Sequence, residues 1–151
     1  MKRVYQSRIE KNHGTCMQAV VASLFEMFID DVPNFVELGD EWFWIMSKFY
    51  KDRGYRLSCF NPRTCIKLTK QILKVDEGIN GYWYATVPSI NLGPGVTHAV
   101  VIDKNMKVVH DPNPNNYGHV YSPKDIISID TCSDKWYLDV NKKLVIKEDD
   151  K

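Results

Sequence analysis

Apolar residues recur at helical spacing through residues 16–53, and runs rich in β-branched and aromatic residues fill 81–147. That order constrains the fold more than any other feature. A parallel sheet needs a crossover, usually a helix, between successive strands, and no such alternation is present. The chain is therefore expected to be α+β, with N-terminal helices packed on an antiparallel β-sheet. Its 151 residues suit one domain, 1–151, around a single core. An apolar content of 44% with 26% charged residues is ordinary for a globular chain and argues against disorder.

The first helix is expected to open at Cys16. Met17, Val20, Val21, Leu24 and Phe28 form a stripe, and Ala19, Ala22, Phe25 and Met27 widen it until little polar surface is left, so the helix should be buried. Thr15 and Gln18 match a capping box, and "DDVP" (30–33) is expected to end the helix. A second helix is expected over 39–53, capped by Asp40 and stopped by Gly54, and a third over 62–74. Strands are expected at 55–60, 81–87, 97–103, 107–111 and 125–130, with 135–140 or 143–147 completing the sheet.

"THAVVIDKNMKVVHDP" (97–112) reads as a hairpin. A turn centred on Lys104 and Asn105 sets Ile102 opposite Lys107, Val100 opposite Val109 and His98 opposite Asp111. Opposed residues share a face with Cβ atoms roughly 5 Å apart, which suits an imidazole bonded to a carboxylate. A three- or five-residue turn would instead set His98 opposite His110 or Pro112.

These residue types support nucleophilic chemistry in combination. A cysteine attacks as its thiolate, and both a helix N-terminus and a neighbouring imidazolium favour that form. A carboxylate on the far imidazole nitrogen fixes the tautomer and steadies the cation. The catalytic candidates are Cys16, His98 and Asp111. An oxyanion would be met by the backbone N–H of Cys16, which lacks an intrahelical acceptor, and by Gln6, Asn12 or His13. The competing reading makes Cys16 a small core hydrophobe, because a lone cysteine in an apolar helix usually is one. "PSINLGPGVT" (88–97), with Gly93, Gly95 and Thr97, is expected either to wall the site or to be a plain connector. The aromatic runs 42–44 and 82–84 are expected in the core. Trp42 and Trp44 cannot share one inward stripe, so at least one belongs at a surface or cleft.

Other classes fit less well. The formal charge of +1 offers no field to recruit nucleic acid or an anionic membrane. The start lacks the apolar core of a secretory signal, and no apolar run approaches the ~18 residues of a span. A cytoplasmic protein with reduced cysteines is expected. Cys16, Cys59, Cys65 and Cys132 contain no C-x-x-C; His13 with Cys16 would be half a zinc site without a second half, so neither metal nor cofactor is expected.

With these residues in place, "VYQSR…GTCMQAVVASLF…VPNF…THAVVID…VVHDPNP" resembles the papain-like cysteine peptidase superfamily, and small uncharacterised phage and bacterial proteins with that core. The resemblance touches most of the first 114 residues. It implies a buried helix opened by the nucleophile Cys16, a base His98 and an orienting Asp111 on adjacent strands, and Gln6 in the oxyanion hole. Met17 and Gln18 stand where larger members often carry an aromatic, and the interval from Gln6 to Cys16 is longer than usual. The implied activity is hydrolysis of an amide-type bond in a peptide, an isopeptide or a small amide, in the host cytoplasm if the chain is phage-encoded. Acyl transfer, deamidation and transglutamination use the same thioester, and a non-catalytic binding module on the same fold is the alternative from another class.

Overall fold

A computed structural model describes residues 1–7, 15–62, 65–116 and 118–147. Its helices are α1 (Cys16–Phe25), α2 (Trp42–Lys51) and α3 (Ile66–Asp76). The strands are β1 (Ser58–Phe60), β2 (Trp83–Pro88), β3 (Thr97–Ile102), β4 (Val108–His110), β5 (Ser128–Thr131), β6 (Trp136–Leu138) and β7 (Leu144–Ile146). The first five strands form one antiparallel sheet in the order β1-β5-β2-β3-β4. The architecture is α+β, as the order of periodicities implies. One expectation fails: β6 and β7 are both present, but they pair with each other as a separate hairpin and add nothing to the sheet.

α1 is central. Ala19 through Leu24 are all buried, and the helix packs chiefly on β3. It ends at Phe25, short of the expected stop at 30–33. Glu26 adopts a left-handed conformation (φ 54°), and the N–H of Met27 returns to the carbonyl of Ala22, closing the helix. Phe28 is therefore outside the helix and 77% exposed. The capping box is also absent. Thr15 makes no cap bond; its hydroxyl accepts from the N–H of Ser7 at 2.8 Å. The Gln18 amide donates to the carbonyls of Ile29 and Val32, tying α1 to the segment after it.

The second helix is shorter than expected. A 3-10 segment over Phe35–Glu41, broken at Gly39, precedes α2, whose N-cap position is Glu41 rather than Asp40. Trp44 is exposed, while Trp83 is buried in the core.

The 97–112 hairpin forms with another register. Met106 is left-handed (φ 62°), and the N–H of Asp103 bonds the carbonyl of Lys107, which makes the connection three residues long. Ile102 then pairs with Val108, and a bulge before the next pair sets Val101 opposite His110. The offset from expectation is one residue at Ile102 and two from Val101 onward. Because side chains alternate with period two, a shift of two restores the original face. Carried one step past β4, that register would place Asp111 across from Val100, diagonal to His98 on the same side.

Candidate active site

The first seven residues set one wall. The N–H of Lys2 bonds the carbonyl of Ser23, the N–H of Val4 bonds the Ser23 hydroxyl, and the N–H of Gln6 bonds the carbonyl of Pro112. His110 turns its Nε2 to the carbonyl of Val4 at 2.7 Å and stacks edge-on against Tyr5. Laced in this way between α1 and the edge strand, the segment carries buried Gln6 to the cavity that Cys16 opens on. Asn12 and His13 lie outside the described residues.

Cys16, His98 and Asp111 are brought together. His98 Nε2 lies 2.6 Å from Asp111 Oδ1, which leaves Nδ1 to face the Cys16 thiol, with which His98 hydrogen-bonds. Burial acts most strongly on Cys16 and by itself would raise its pKa. The hydrogen bond and charge of His98, with backbone N–H groups of Ala99 and Met17, outweigh it and hold the thiol below its ordinary value. Burial likewise opposes protonation of His98, but Asp111 and Cys16 overcome it and lift the imidazole to about 9. Burial would also raise Asp111, yet His98, Asn116 and the N–H of Asn113 hold it below the usual carboxylate range. All three shifts favour the charged form of their group, and so a thiolate–imidazolium–carboxylate line. By contrast, burial pushes the thiols of Cys59 and Cys132 up.

Asp111 is held by more than His98. Its Oδ1 also accepts from the N–H of Asn113 at 2.9 Å, and its Oδ2 accepts from Asn116 Nδ2 and the Tyr121 hydroxyl, each at 2.9 Å. Asn113, Asn116 and Tyr121 were not among the sequence candidates. "DPNPNN" marked the turn that carries the two asparagines, whereas nothing in the sequence pointed to Tyr121.

The cavity above the triad has a volume of about 590 Å³. Gln6, Cys16 and His98 all line it, with Met17, Phe35 and Trp42 contributing apolar surface and Tyr84, Thr86 and Ser128 coming from the sheet side. Gly95 and Thr97 line it as well, whereas Gly93 does not. No Lys, Arg, Asp or Glu side chain reaches it among the described residues. Nor do the described residues contain a group of three or more His, Cys, Asp or Glu able to hold a metal ion, or a helix long and apolar enough to cross a membrane. Set against known proteins, the chain matches no family model, no curated protein and no solved structure.

Proposed function

We propose that this chain is a thiol hydrolase with a papain-like core, acting on an amide-type bond through a thioester on Cys16. The observation that carries the reading is the unbroken line Cys16–His98–Asp111, whose Cys16 and His98 line a cavity together with Gln6. The Cys16 thiolate attacks the carbonyl carbon, and the resulting oxyanion is met by the Cys16 N–H and the Gln6 side-chain amide. His98 gives its Nδ1 proton to the departing amine as the C–N bond breaks, leaving the thioester. Neutral His98 then takes a proton from water as its oxygen attacks that thioester. Collapse releases a carboxylic acid and returns the thiolate–imidazolium pair. Asp111 stays ionised throughout and keeps the imidazole oriented.

Among the described residues the lining carries no charge beyond the Cys16–His98 pair, which favours a substrate that is neutral beside the scissile bond, since a further charge entering there would lose its hydration without a partner. A short peptide, an isopeptide-linked tail or a small amide meets that condition. The test is a peptide carrying a thiol-reactive electrophile at the position of the scissile amide, followed by intact mass and peptide mapping. Rapid labelling confined to Cys16 and abolished in His98→Ala is expected. Slow labelling spread over Cys59 and Cys65 would leave a binding module.

A further inference from the structure

The loop over residues 89–96 shapes itself. The N–H of Ser89 bonds the carbonyl of Val96 at 2.8 Å across its base, and the Ser89 hydroxyl accepts from the N–H groups of Asn91 and Leu92. Gly93 and Gly95 turn the chain at φ 91° and 80°, conformations that side-chain-bearing residues rarely adopt. Ser89, Leu92 and Gly95 then face the cavity over Cys16. The loop is tied to the turn that follows Asp111 through Asn91, whose Nδ2 donates to Asn116 Oδ1 at 2.7 Å. The other end of the Asn116 amide donates to Asp111 Oδ2.

We propose that Asn116 is a positioning residue that transmits the state of the 89–96 loop to Asp111, so that the triad is aligned when Asn91 is latched to Asn116. The two ends of a planar amide cannot turn independently. Fixing Oδ1 on Asn91 aims Nδ2 at Asp111, whereas an unlatched amide is free to rotate about a broad terminal torsion. Asp111 Oδ2 then keeps Tyr121 alone, the carboxylate is less firmly oriented, and His98 is a weaker partner for the thiolate. A substrate that closes the loop would in this way align the groups that act on it. Its catalytic meaning rests on the thiol hydrolase reading, but the coupling itself is read from Cys16 without any substrate.

The experiment is the pH dependence of Cys16 alkylation by iodoacetamide, followed by peptide mass spectrometry, in the unaltered protein, Asn91→Ala, Asn116→Ala and the double variant. Asn91 is exposed, so its replacement leaves the core untouched. The midpoint is expected to rise by about half a pH unit in either single variant, roughly the effect of losing one modest hydrogen bond. The double variant should rise no further, because Asn91 acts through Asn116. An Asn91→Ala profile that overlays the unaltered protein would overturn the proposal, as would shifts that simply add in the double variant. An ordinary thiol midpoint near ~8.5 in the unaltered protein would instead overturn the hydrolase reading itself.

Discussion

At the scale of single residues, two opposed shifts set the state of the Cys16–His98 pair. Cys16 is held below its usual pKa and His98 is lifted to about 9, so the ion pair exists between those limits. Activity should follow a bell-shaped pH profile in kcat/KM, with its alkaline limb near 9 as His98 loses its proton and its acid limb where Cys16 is protonated. Gln6→Ala is expected to lower kcat by ~10²-fold while leaving the alkylation profile of Cys16 in place, because in the proposed mechanism the amide meets the oxyanion and not the thiol. Cys16, His98 and Asp111 were legible because each belongs to an element that the sequence announces: a helix start and two strand ends. Asn116 and Tyr121 were not, since they reach Asp111 from a segment without periodicity. Thr15 misled for a different reason. Its hydroxyl serves Ser7, a partner that local spacing cannot reveal.

At the scale of elements, interiors were readable and ends were not. β3 and β4 follow their β-branched runs, but the register depended on a bulge that leaves no mark in the residues around it. The turn is readable in hindsight, because it occurs twice. Asp103 Oδ1 accepts from the N–H groups of Asn105 and Lys107, and Asp139 Oδ1 accepts from those of Asn141 and Lys143. In both, the residue before the lysine is left-handed, so D-x-N-x-K specifies this three-residue connection. The turn that joins α3 to β2 depends on Gly78, which has φ 61°. A Cβ there would lie 2.5 Å from the carbonyl oxygen of Tyr82 and 2.6 Å from the Trp83 ring. Gly78→Ala should destabilise the fold by about 3 kcal/mol, read from denaturant midpoints, since neither backbone nor a buried indole can give way.

At the scale of the whole molecule, the α+β class followed from the order of periodicities, whereas the polar centres beneath the surface did not. Buried Asp76 at the end of α3 accepts from the indole N–H groups of Trp83 and Trp136 and from the backbone N–H groups of Cys132 and Ser133, joining helix, sheet and the 136–146 hairpin. Asp130, in the middle of β5, has no such provision. Its Oδ2 is buried with no hydrogen-bond partner, and burial lifts its pKa to about 7. The folded state holds that proton more tightly than the unfolded chain does. Stability is therefore lost as pH rises from about 4 through 7 and is level above that. Asp130→Asn should gain on the unaltered protein by up to about 4 kcal/mol between pH 4 and pH 8, seen as a widening gap in melting temperature. Matching pH dependences in the two proteins would place Asp130 in contact with water.

In the proposed function, Cys16 forms an acyl thioester with His98 as its proton partner. Acid-quenching a reaction with an activated ester and mapping the acyl group by mass tests it most directly. The account predicts one acyl group on Cys16, absent in Cys16→Ala and formed at least ~10²-fold more slowly in His98→Ala. Acyl groups distributed over Cys59 and Cys65, or a rate on Cys16 indifferent to His98→Ala, would contradict it.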